Sequence, residues 1–177
     1  MSMLNISKKG QLLSSELILC IAIFMASLFA FVLAWNAIFS IYSSQMQQRQ
    51  IQNTLFSVSN QLILSQGDPS NWEISSLQNA NSFGLANFAG EISQSKVSTL
   101  QSLNATHYSA VREGMGAGRF DVYIEVEDAE NQTVLYKFGR SVGSSDSEVA
   151  SASIQRLAMM EDGKLVLVKV WLWEPQR

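Results

Sequence analysis

Hydrophobic positions change their period three times along the chain. Residues 17–41, "LILCIAIFMASLFAFVLAWNAIFSI", are apolar nearly all round and hold 25 positions without a charge. A bilayer core of about 30 Å takes ~20 residues of helix, so this run is long enough to span one. From residue 51 the apolar positions thin to one stripe: Ile51, Leu55, Val58 and Leu62, at spacings of four, three and four. That is the signature of a helix with one buried face. Phe56 and Ile63 widen the stripe, while Gln47, Gln48, Gln50, Gln52 and Asn53 read as a solvated face. Gly67 offers a C-terminal cap and Pro69 bars continuation. The pattern predicts one helix over 11–66, ~80 Å long at 1.5 Å per residue, transmembrane over about 17–41 and amphipathic beyond.

Periodicity then weakens. "GDPSNWEISSLQNANSFGLANFAGE" is rich in turn residues and predicts an irregular connection, with Trp72, Phe83 and Leu85 plugging the edge of a core. "SKVSTLQSLNATHYSAV" predicts one or two short helices on Val97, Leu100 and Leu103. "REGMGAG" breaks the chain and lacks the GK[ST] ending of a phosphate loop. From residue 119 the period becomes two. In "RFDVYIEVED", Phe120, Val122, Ile124 and Val126 alternate with polar residues, which predicts a half-buried strand with an acidic outer face. "TVLYKFG", "VASASIQRLAMM" and "KLVLVKVWLW" predict three more strands, the last two joined at Asp162-Gly163. The last strand is apolar on nearly both faces and is expected to be central or covered by another layer. The fold class is α+β: a long N-terminal helix packed on a C-terminal antiparallel sheet of about four strands at 119–177. A connection at 67–118 joins the two, and a meander is the simplest strand order.

Composition narrows the chemistry. Net charge is -3 and charged residues are 15% of the chain, against roughly 25% in an average soluble domain. No basic face points to nucleic acid. Cys20 is the single cysteine, so an intramolecular disulfide is excluded. His107 is the single histidine, which leaves too few ligands for zinc or haem and reads as a surface or helix-end residue. No catalytic constellation and no cofactor site is expected. The acidic set Asp121, Glu125, Glu127, Asp128 and Glu130 does not match a calcium-loop spacing and is read as a solvated strand face and turn. The sequons at Asn104 and Asn131 fall at predicted loops or turns and are candidate N-glycosylation sites.

The ends of the apolar run give its orientation. Lys8 and Lys9 flank the near end, and only Arg49 lies near the far end, past Trp35 and Tyr42. The excess of cations places the N-terminus in the cytoplasm and the chain after Tyr42 outside. An ordinary secretory signal has an apolar region of about 7–15 residues and a small-residue cleavage site. This run is longer and no such site follows it, so the helix is expected to stay with the mature protein. Glu16 stands at the mouth of the run. It either sits at headgroup level near Lys8 or Lys9, or pairs with a cation supplied by processing or by a neighbouring subunit.

The basic leader ending in "KKGQ", the glutamate just inside, one uninterrupted apolar span, the amphipathic extension and the C-terminal sheet together resemble the type IV pilin superfamily. The "KKGQ" junction is similar to the class III signal peptides of its archaeal branch. "GDPSNWE", "FGL" and "K..L......Y" followed by "FDVYI" also resemble a recurring group of archaeal pilin-like membrane proteins. The resemblance implies a pilin-like fold and a leader, residues 1–10, removed on the cytoplasmic side by a prepilin peptidase. Its recognition sequence would be Lys8, Lys9, Gly10, Gln11 and Leu12. It further implies that the partners are copies of the chain or other pilin-like subunits, met through the apolar helix, and that Glu16 neutralises the new α-amino group and sets helix register. In the family that glutamate is the fifth mature residue. Glu16 is sixth counted from Gln11 and fifth from Leu12, which leaves open a one-residue insertion, a cut after Gln11, or no cut.

Overall fold

The computed structural model describes residues 5–74, 80–140 and 151–175, with side chains from Glu16 onward. The chain divides into two compact units, Met1–Met46 and Gln47–Arg177. A single helix, α1 (Asn5–Leu64), forms the first and opens the second. The helix starts six residues before the expected Gln11 and ends before Gly67, whose φ of +87° is a conformation that glycine adopts without penalty.

In the second unit the predicted stripe is the buried face. Ile51, Val58 and Leu62 are fully buried, Leu55 and Ile63 nearly so. Burying each such side chain contributes about 1.5–3 kcal/mol. Phe56, expected to widen the stripe, is instead 55% exposed. One residue past Leu55 turns about 100° around the helix, and that rotation carries it off the packed face. Some of the amides read as solvated are also tied down: Gln47 donates to Glu174, and Gln50 accepts from Arg119.

The predicted connection at 67–118 holds more structure than expected. β1 (Gly67–Asp68) and β2 (Ser82–Phe83) pair as a small antiparallel ribbon. Trp72 packs edge-on against Phe83 there and donates its indole N–H to Gly84 O at 2.8 Å. β3 (Ala86–Phe88) and β4 (Glu91–Ile92) follow, then α2 (Gln94–Leu103) and α3 (Tyr108–Gly114). Val97 and Leu100 of α2 face the core as expected, and His107 is the exposed N-cap of α3.

The four predicted strands are all present: β5 (Asp121–Asp128), β6 (Val134–Gly139), β7 (Ser151–Met160) and β8 (Leu165–Trp173). Among the described residues the sheet nevertheless has six strands and is mixed, in the order β3-β4-β7-β8-β5-β6, with β4 parallel to β7 and every other pair antiparallel. The count of four and the meander are therefore corrected. Two hairpins, β5-β6 and β7-β8, lie side by side with β8 against β5. That placement gives β8 a neighbour on each side, as its two apolar faces require. Gly163, with φ +83°, closes the second hairpin. At the far edge Gly139 lies so close to Val122 O that no Cβ fits. Its N–H is donated to Asn104 Oδ1 at 2.9 Å.

Lys96, on α2, is 2% exposed. Its ammonium donates to Gln66 O at 2.8 Å and to Ala86 O at 3.1 Å, joining the segment after α1 to β3. Burial lowers its pKa, while Glu73 and Glu161 partly restore it. Removing the ammonium leaves two carbonyls without this donor, so Lys96→Ala should lower the unfolding free energy by about 1–3 kcal/mol. Urea denaturation of the detergent-solubilised chain, followed by tryptophan fluorescence, measures this. An unchanged midpoint would mean that the bridge contributes nothing.

Candidate functional site

Two features of the chain bear on function: the apolar half of α1 and the polar face of the sheet. Every described residue of α1 from Glu16 to Tyr42 is exposed, and among them are large side chains such as Leu17, Phe24, Phe31 and Phe39. One helix long and apolar enough to cross a membrane thus lies near the N-terminus. Three of its polar side chains donate to the helix's own carbonyls one turn back. Ser27 donates to Ile23 O, Asn36 to Val32 O and Ser40 to Ala37 O, at 2.9, 3.0 and 2.9 Å. Such back-bonding gives a hydroxyl or an amide N–H a partner where no water is at hand. Residues 17–41 present a surface that can lie against lipid or another apolar helix at little polar cost, and Cys20 is part of it.

The side chains of Lys8, Lys9, Gly10, Gln11 and Leu12 lie outside the described residues; their backbone is helical. Glu16 is exposed and has no hydrogen bond or ion pair among the described residues. The expected sequons are both in turns. Asn131 is exposed, with Nδ2 donating to Asp128 Oδ2 at 3.0 Å. Asn104 is half-buried, and its amide clamps Gly139 through both N–H and C=O.

The acidic face of β5 is not the solvated surface expected. Asp121, Glu127 and Asp128 are buried, and cations from other elements cover the row. Lys169 meets Glu127 at 2.6 Å, Lys137 meets Glu125 at 3.5 Å, and Lys164 meets Asp128 at 2.9 Å. Asp121 accepts from the Tyr108 hydroxyl at 2.9 Å and from Arg112 at 3.3 Å, with Arg140 3.9 Å away. Burial, more than any other cause, pushes the Tyr108 phenol up to about 12. Asp128 also accepts the Glu130 N–H at 2.9 Å. The Lys164 ammonium, then that N–H, hold its carboxyl well below the usual range, at about 2. Asp121, Glu125, Glu127 and Asp128 are each matched to a cation, so the network locks strands and turns together, while Glu130 is exposed in the turn as expected. Among the described residues no group of three or more His, Cys, Asp or Glu is arranged to hold a metal ion.

Comparison with protein-family models, with curated proteins and with solved structures gives no match to this chain. The functional reading therefore rests on the residues themselves.

The Asp128 site generates a prediction about acid stability. Its folded pKa lies below the unfolded value of about 3.9. Its contribution is complete above about pH 4 and is lost as pH falls toward about 2. Asp128→Asn should remove part of that acid-dependent loss, so that stability falls less between pH 4 and pH 2 than in the parent chain. Thermal unfolding across that range checks this, and superimposable acid limbs would contradict it.

Proposed function

We propose that this chain is a structural subunit, major or minor, of an archaeal type IV pilus-like surface filament or a related assembly. It is inserted as a prepilin with its N-terminus in the cytoplasm and its sheet unit outside, and it is processed at Gly10. The single observation that carries the reading is the surface of α1: uncharged for 25 residues after Glu16, exposed throughout, with Ser27, Asn36 and Ser40 donating to the helix's own carbonyls. A helix of this kind is stable in lipid while the subunit waits. It can then exchange lipid for like helices with little change in polar solvation. The amphipathic continuation at Gln47–Leu64 fixes the same helix into a folded α+β body, which gives the assembly its outer layer.

Glu16 is the one charge of the described span and supplies register. Cutting after Gly10 creates a cationic α-amino group. A carboxylate at Glu16, on the same or a neighbouring copy, offsets it where an unpaired charge would be costly. The partners are the membrane, the prepilin peptidase, and copies of this chain or pilin-like relatives. Catalysis and cofactors form no part of the reading. The register of Glu16, sixth from Gln11, favours a second reading: a singly anchored extracytoplasmic protein that binds a partner or an envelope component and does not polymerise.

N-terminal sequencing of the membrane-extracted protein separates these readings. The first expects a chain that begins at Gln11 or Leu12; one that retains Met1 through Gly10 favours the second. Gly10→Val should block cutting and leave the longer chain in the membrane. Glycan mapping tests orientation. Modification at Asn131 or Asn104 fits an external sheet unit, whereas modification at a third sequon, Asn5-Ile6-Ser7 on the cytoplasmic side, reverses the topology.

A further inference from the structure

The six-stranded sheet treats its free edges unequally. β6, at one end, is blunted in three ways. A bulge interrupts its pairing between Val126 and Glu127, Lys137 stands exposed on it, and the Asn104 amide occupies the outward N–H and C=O of Gly139. β3, at the other end, is three residues long. The third edge is internal to the order. β4 pairs with β7 only at Met159 and Met160, so among the described residues Ser151 to Ala158 have a neighbour on the β8 side alone.

The register shows which backbone groups that leaves over. Met160 N–H is donated to Lys164 O, toward β8, and Met159 N–H to Gly90 O, away from it. Pairing of β7 with β8 runs from Ser151 to Met159 without a shift. The alternation of two therefore holds along the strand. Leu157, Gln155, Ser153 and Ser151 turn their N–H and C=O groups outward like Met159. Among the described residues no partner meets these four donors and four acceptors. This edge carries no proline and no bulge, and the four outward-bonding residues are uncharged.

Beside the open edge runs a groove within the second unit. Gln48, Gln52 and Phe56 of α1 form one wall, and Ser151, Ser153 and Ile154 of β7 the other. Phe56, the residue that left the buried stripe, is 55% exposed there. Arg156 lies over its ring at 5.9 Å. No carboxylate pairs with Arg156 among the described residues, and none lines the groove. Glu174, beyond the residue that pairs with Ser151, is already taken by Gln47 and Arg119.

We propose that the open half of β7 is a docking edge for an extended, acidic segment of a partner protein, which adds to the sheet as a seventh strand. Main-chain hydrogen bonds to Ser151, Ser153, Gln155 and Leu157 hold the segment. Its inward side chains lie over Phe56 and Ile154, and a carboxylate among them meets Arg156. A long edge that no described residue protects, in a sheet that blunts its other edges, offers a place for an added strand. The unmatched guanidinium selects the sign of its charge. This inference does not depend on whether the N-terminus is processed or on whether the helix enters a filament.

The test uses the full chain in detergent and a synthetic capped peptide, Thr-Val-Thr-Glu-Thr-Val-Thr-Val, with its lysine-for-glutamate counterpart as control. Amide hydrogen exchange is read residue by residue. At saturation the glutamate peptide should slow exchange at Ser151, Ser153, Gln155 and Leu157 by about tenfold or more. Ala152, Ile154 and Arg156, already bonded to β8, should not change. The lysine peptide should bind about tenfold more weakly, and Arg156→Glu should reverse that preference. Ser153→Pro removes one outward donor without touching the β8 ladder and should abolish binding. Retained protection of the β8 amides shows that this variant is folded, and Arg156→Glu keeps the test decisive if it is not. Protection that is absent, equal for both peptides, or confined to the β8-bonded amides overturns the proposal. Protection that rises with protein concentration without any peptide also overturns it, because the edge then belongs to a second copy.

Discussion

The buried stripe of α1 is the contact on which the second unit depends. Ile51, Leu55, Val58 and Leu62 cover one face of a sheet whose central strand, β8, is apolar on both faces. Without that cover the inner side chains of β8 and β5 would meet water. At roughly 25 cal/mol per Å² of apolar surface, no hydrogen bond in the unit compares with the cover as a whole. The same helix carries the exposed run of residues 17–41. One continuous element therefore has two solvents to satisfy, and its sequence changes character where the requirement changes. Gln47, Gln50 and Gln61 mark the change. Each uses an amide to reach the folded body, Gln61 through Gly114 O at 2.8 Å.

Polar contacts then fix what apolar burial leaves loose. Lys96 ties the end of α1 to β3, Asn104 clamps the last residue of β6, and the Trp72 indole closes the ribbon. The ion pairs on the outer face are half-buried or better on their acidic side, which screens them less than surface pairs and gives them a part in holding register.

Much of this was legible in the chain. The period of 3.6 located the helix and its buried face, the period of two located β5 to β8, and the two apolar faces of "KLVLVKVWLW" offered β8 a central place or a covering layer, of which the sheet order shows the first. What was not legible has physical causes. β3 and β4 are three and two residues long, too short for any periodicity, and their places are set by pairing with distant β7. The insertion of β8 beside β5 is a choice between hairpin arrangements that share the same local sequence. The cations over the acidic face come from residues far along the chain: Lys169 lies opposite Glu125 in register yet reaches Glu127 diagonally. Burial of Lys96 could not be read from a polar position on a short helix. For the candidate site, the apolar span was plain from composition, whereas the open edge of β7 appears only once the sheet order is known.

The central claim is that residues 17–41 serve as an apolar surface for lipid or for like helices. Cys20 is the only cysteine and lies exposed within that run, so a nitroxide can be placed there without further substitution. Power-saturation electron paramagnetic resonance in native membranes measures its access to dissolved oxygen and to a water-soluble nickel chelate. The account predicts high oxygen access with the chelate excluded. Free access of the chelate to Cys20 in the membrane fraction would contradict it.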